Sequence, residues 1–160
     1  MAEGAANWRS RINWDYFLIL LLGIHVFYWF KGSLLYIGGD YGIPLNPLSN
    51  LEHLYLWKTQ LCGVESWNLT LFFQYFSFAL MNLLNLSIVN SQRFYIYLMH
   101  SLSGISMYYM CSGFNGTTRL SRMVAAVFYM FNTFMLGLVL VPTFIPYHLA
   151  PLAIGFYVRG

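Results

Sequence analysis

The stretch from Trp67 to Gln92 runs for twenty-six residues without a formal charge. It includes Leu69, Leu71, Phe72, Phe73, Phe76, Phe78, Leu80, Leu83, Leu84 and Ile88. A helix rises about 1.5 Å per residue, so about 20 residues cross a hydrocarbon layer of roughly 30 Å. A core helix of a water-bathed domain is usually shorter and keeps a charged face. The run therefore points to folds in which at least one helix is apolar all round.

Composition agrees with that reading. Charged residues make up 8% of the 160-residue chain, against about 25% in an ordinary soluble domain. Hydrophobic residues make up 59% and the mean hydropathy is +0.58. The sequence predicts an all-α fold: a polytopic transmembrane helical bundle with about four spans and a partly helical first outer loop. Residues 1–160 form a single transmembrane domain in this reading. The spans fall at about 14–30, 67–89, 94–111 and 123–141. An apolar tail over 144–158 follows, in which Pro146 and Pro151 argue against an unbroken helix. Arg9 and Arg11 precede the first span and no A-x-A cleavage site follows it, which predicts an uncleaved helix. The positive-inside rule places the amino terminus in the cytoplasm and the chain in the cell membrane. Beyond the second segment the count ties, because Arg93, Arg119, Arg122 and Arg159 fall on both sides whichever parity is chosen.

The net charge of +3 comes from scattered Lys and Arg, which leaves no nucleic-acid footprint. The lipid bilayer is the expected surrounding partner. Cys62 and Cys111 lie outside any CxxC or Cys/His metal spacing, so free thiols are expected.

Polar groups collect between Lys31 and Ser66. There Gly38, Gly39 and Gly42 surround Asp40, and Pro44 and Pro47 stiffen the chain just beyond it. A carboxylate fixed in such a turn can bind a divalent metal or accept a proton from a sugar hydroxyl. The same Gly-Asp-x-Gly run is also ordinary turn chemistry. Downstream, Leu48, Leu51, Leu54, Tyr55 and Cys62 share one helical stripe, which predicts a short amphipathic helix. Glu52 and His53 are neighbours in sequence and would point about 100° apart on that helix, so they form no chelating pair. His25 lies within the first span, where a titratable group is a functional candidate, although a neutral histidine bonded to a neighbouring helix is the plainer reading. The same holds for His100 and for His148, although the place of His148 between Pro146 and Pro151 also suits a cavity lining. Gln74, Asn82, Asn85 and Asn90, with Ser101, Ser103, Gly104 and Ser106, read as a helix-packing pattern of amide and small residues.

The order of these features resembles the amino-terminal part of GT-C type membrane glycosyltransferases. The matching features are a basic start, a first span, and a loop that opens with Gly39-Asp40 and continues through Pro44, Asn46, Pro47 and Trp57. The stretches Ser103 to Tyr109 and Thr118 to Asn132 are similar to the arabinofuranosyltransferase-like and YfhO-like branches. The resemblance implies sugar transfer from a polyprenyl-phosphate donor at the outer membrane face, with Asp40 as catalytic base or metal-associated carboxylate. It assigns no role to Glu52 or His53. Family members have many more spans, so the resemblance implies a truncated or split enzyme, and activity of the chain alone would be doubtful. The competing classes are a non-catalytic membrane subunit packed against a larger membrane partner, supported by the packing pattern, and a transporter fragment, for which His25 and the proline-containing tail speak.

Overall fold

The computed structural model describes residues 14–30, 32, 35, 46, 48, 57–58, 64–65, 72–132, 134 and 145–159. Six helical segments and one strand pair are defined among them. They are α1 (Trp14–Gly23), α2 (Val26–Trp29), β1 (Trp57–Lys58), β2 (Val64–Glu65), α3 (Phe72–Leu83), α4 (Ile88–Cys111), α5 (Arg119–Phe131) and α6 (Ile145–Arg159). The all-α character expected from the sequence is present. The transmembrane part of the expectation is not: among the described residues no helix is long and apolar enough to cross a membrane. That finding overturns the four-span bundle, the transmembrane reading of the chain and its placement as an integral protein of the cell membrane with a cytoplasmic amino terminus.

The physical reasons lie in particular residues. Within the first expected span, α1 ends at Gly23, and Ile24 and His25 form a tightened turn before α2 begins. There the backbone bonds reach back three residues, from Ile24 N to Leu21 O at 3.1 Å and from His25 N to Leu22 O at 3.4 Å. Ten residues of α1 rise only about 15 Å. The charge-free run that implied an unbroken span is cut in two. Asn85 takes a left-handed φ of 57°, a conformation that asparagine tolerates better than most residues. Ser87 then caps α4, its hydroxyl accepting from Asn90 N at 3.4 Å. The triplet Asn85-Leu86-Ser87 is thus a helix stop followed by a helix start. Replacing Ser87 with alanine removes that acceptor and is expected to lower the unfolding free energy by about 1 kcal/mol. Chemical denaturation checks this, and a midpoint equal to that of the parent chain would show that packing alone sets the start of α4.

The third expected span lies inside α4, which is 24 residues long but carries Asn90, Ser91, Gln92, Arg93, His100, Ser101, Ser103 and Ser106. Length suffices there and apolarity does not. The fourth is interrupted within its described part, because α5 closes at Phe131 with Asn132 as its C-cap, and most of 133–141 lies outside the described residues. Asn132 turns its side-chain amide back onto Tyr129 O at 2.7 Å.

The tail departs from expectation in the other direction. α6 is one continuous helix through both prolines. Pro146 lies in its first turn, where a backbone N–H has no helical acceptor in any case. Pro151 removes the bond that would have reached Tyr147 O, and the Tyr129 hydroxyl donates to that carbonyl at 2.6 Å. In the first loop the described residues show an antiparallel pair, with Trp57 opposite Glu65 and Lys58 opposite Val64. The expected amphipathic helix over 48–62 gives way at 57–58 to this strand, and the rest of that stretch lies almost wholly outside the described residues.

α4 is the hub: α1, α2, α3, α5 and α6 all pack on it. One core gathers Val26, Phe78, Tyr95, Ile96, Met99 and Ile145, and a second gathers Ile19, Tyr108, Ala126 and Met130. Close crossings occur where α4 or its partner offers a glycine. Gly104 lets Ile19 and Met130 meet over α4, and Gly155 seats α6 on Tyr109 and Met110.

Candidate functional site

The face that α4 buries is unusually polar. Ser91, Gln92, His100, Ser101, Ser103 and Ser106 are all at most 3% exposed. Three constellations form where neighbouring helices cross this face.

The first is a clamp between α4 and α6. Ser103 Oγ lies 2.7 Å from His148 Nδ1 and 3.0 Å from Met99 O. The hydroxyl and the imidazole share a hydrogen bond that joins α4 to α6. Ser106 Oγ lies 2.8 Å from Ser103 O and 2.7 Å from His148 O, so it bridges the two helices. Both side chains are 1% exposed, so the pair joins the two helices inside the bundle, shielded from solvent. His148, expected to line a cavity, sits in this crossing.

The second joins α1 to α5. Asp15 is 2% exposed, and the Arg119 guanidinium grips its carboxylate through Nε and one terminal nitrogen, with Nη2 to Oδ1 at 2.7 Å and Nε to Oδ1 at 2.9 Å. The Tyr108 hydroxyl donates to the other oxygen. The Arg119 hydrogen bond holds the Asp15 carboxyl below the usual carboxylate range, against the opposing effect of burial, and the Tyr108 hydroxyl adds to it. Sequence reasoning missed Asp15. Its one signal was an acidic residue opening an apolar run, and nothing in one sequence pairs it with an arginine 104 positions away.

The third is a ring cluster where the α1–α2 turn meets α4 and α5. His25 lies 4.9 Å from His100, 4.7 Å from Trp29 and 4.7 Å from Phe131, measured between ring centroids. His25 Nδ1 donates to Leu22 O at 2.6 Å. Burial, with smaller effects from His25 and His148, pushes the His100 pKa down to about 3, so that imidazole is neutral at any physiological pH.

Of the residues singled out from sequence, His25 and His100 are brought together, and Ser103 and Ser106 join His148. Asp40, the expected catalytic residue, lies outside the described residues, as do Glu52, His53 and Cys62. Cys111 is a free, half-buried thiol 3.8 Å from Met107 Sδ, and its burial raises its pKa. Among the described residues no three His, Cys, Asp or Glu side chains converge as a metal-binding group. Comparison with family models, with curated proteins and with solved structures finds no match to the chain.

Proposed function

We propose that this chain is a non-catalytic helical subunit that docks on a larger protein through the outer face of α5. The supporting observation is a stripe of large apolar side chains on that face: Leu120, Val124 and Phe128 are 74%, 59% and 73% exposed at a spacing of four residues. The opposite face of α5 is already used, since Ala126 and Met130 are fully buried against the bundle. The polar groups of the Ser103–His148 and Asp15–Arg119 constellations are engaged between helices, so what the bundle offers outward is shape and apolar surface. A contiguous patch of this kind is the usual mark of an interaction surface.

Charge narrows the partner. Arg119 at the start of the stripe is already paired with Asp15, so the charge of Arg122, one turn later, is what favours a partner helix with an acidic residue beside its apolar face. The test places a photocrosslinking residue at Val124 in the source cells. One protein adduct of defined mass is expected, and Phe128→Lys should reduce its yield roughly tenfold or more while leaving helical content unchanged. Absence of a protein adduct overturns the reading. So does loss of a sugar-transfer activity in Asp40→Asn cells when Phe128→Lys cells keep it, because the acidic turn would then carry the function.

A further inference from the structure

The turn between α4 and α5 is tied down at both flanks and left chemically open at its tip. On one side the Ser112 hydroxyl donates to Tyr109 O at 2.6 Å. On the other, Thr117 Oγ1 lies 2.9 Å from Cys111 O and accepts from Arg122 Nε at 3.1 Å, while Arg122 Nη2 donates to Thr117 O at 2.9 Å. Between these anchors Asn115 and Gly116 are exposed. Neither the Asn115 carboxamide nor the Gly116 N–H makes a hydrogen bond among the described residues. Gly116 has a φ of +84°, and nothing stands within 4 Å of the place a Cβ would take. Asn115 is also the only asparagine in the chain that glycine follows.

We propose that Asn115 is a site of spontaneous modification, at which its carboxamide is converted to aspartate and isoaspartate through a cyclic imide closed with Gly116. The Gly116 amide nitrogen gives up its proton and attacks Asn115 Cγ, the bond from Cγ to the side-chain nitrogen breaks, and ammonia leaves with a proton. Water then opens the ring. Attack at Cγ restores the ordinary backbone as aspartate, and attack at the main-chain carbonyl carbon leaves isoaspartate, with the backbone running through Cγ. The sum is amide plus water to acid plus ammonia, with no oxidant and no enzyme. Glycine is the successor that permits it, because the attacking nitrogen meets no side chain. The other candidates among the described residues are held. Ser91 N, behind Asn90, donates to Ser87 O at 2.9 Å, and Leu86 N, behind Asn85, donates to Met81 O at 3.0 Å. Asn132 spends its own amide on Tyr129 O at 2.7 Å. The product also suits its place: a carboxylate at 115 stands just before the N-terminus of α5, whose backbone dipole favours negative charge there. Conversion lowers the net charge of +3 by one. The site is independent of whether the α5 face docks a partner.

The experiment incubates the native full chain in mildly alkaline buffer and follows every asparagine by peptide mapping with mass spectrometry. Asn115 is expected to convert first, with isoaspartate among the products, which direct hydrolysis of the amide cannot make. Gly116→Ala should slow conversion about tenfold or more, since a methyl group then crowds the attacking nitrogen. Asn115→Gln, which leaves Gly116 and its backbone angle untouched, should abolish the early acid product with unchanged circular dichroism. The proposal is overturned if Asn90 or Asn132 converts before Asn115, if aspartate forms without isoaspartate, or if conversion at Asn115 begins only once the chain is unfolded.

Discussion

Gly155→Val is expected to cost about 3 kcal/mol of unfolding free energy, close to the upper end of the usual range for overfilling a packed core. A Cβ at Gly155 would stand 2.8 Å from Tyr109 Cδ1 and 3.0 Å from Met110 Cα. The second of these is backbone in the hub helix, and it cannot turn aside as a side chain could. α6 must therefore lift off α4, and the lift also strains the Ser103–Ser106–His148 clamp one and two turns away along the same crossing. Gly104 is tighter still. Its added Cβ would meet Met130 Sδ at 2.3 Å, and Ile19 Cγ2 and Met130 Cγ at 2.8 Å, the last two held close to their own backbones in a fully buried core. Gly104→Ala should thus lose at least as much as Gly155→Ala, although each also gains about 1 kcal/mol of helix propensity. Thermal unfolding measures both, with Gly155→Val melting roughly 6–12 °C below the parent for a domain of this size. A Gly155→Val variant that melts with the parent would show that the α4–α6 crossing is looser than its geometry implies.

How far the fold could be read from the residues depends on which signal was asked. The segment expected at 94–111 is helical as expected but lies within a longer helix, since α4 begins six residues earlier, at Ile88. Apolar content was the weaker guide. It reads Leu83, Leu84, Leu86 and Ile88 as one continuous segment, while the chain's course is decided by two polar residues between them: Asn85, which accepts a left-handed backbone, and Ser87, which caps the next helix. Prolines misled in the opposite sense at α6. A proline forbids a helix only where the orphaned carbonyl finds no other donor, and Tyr129, eighteen residues from Tyr147, cannot be read as that donor from local sequence. The histidines were legible as individuals and not as a pair, because His25 and His100 meet only once α1 and α2 have been folded onto α4. Asp15 shows the same limit more sharply. Its meaning depends on Arg119, and contact between them comes from the third dimension alone.

That ion pair carries the second large effect, in which the two single replacements are expected to behave unequally. Arg119 is 71% exposed on its side chain and Asp15 is 3% exposed. Asp15→Asn leaves a guanidinium that water can still solvate, and an amide of nearly the same shape beside Tyr108. Arg119→Met leaves a buried carboxylate deprived of its bidentate partner, which is the more costly half of such a pair to strand. Arg119→Met is therefore expected to destabilise the chain more than Asp15→Asn, and the double variant should recover part of the loss. The pH dependence comes from the direction of the shift. The folded-state pKa of Asp15 is held below its ordinary value of 3.8, chiefly by the Arg119 hydrogen bond. The folded state then binds fewer protons than the unfolded one in the acid range, so the pair's contribution is complete above about pH 4 and fades as pH falls through the depressed value. With Arg119 gone, the largest effect opposing the burial of the carboxyl is lost. The acid unfolding limb of Arg119→Met should accordingly move to higher pH, and that of Asp15→Asn should flatten. Denaturation midpoints recorded between pH 2 and pH 7 for the parent, both single variants and the double variant decide the matter. Parallel curves for all four would show that the carboxylate of Asp15 is solvated and that α1 and α5 are joined by packing alone.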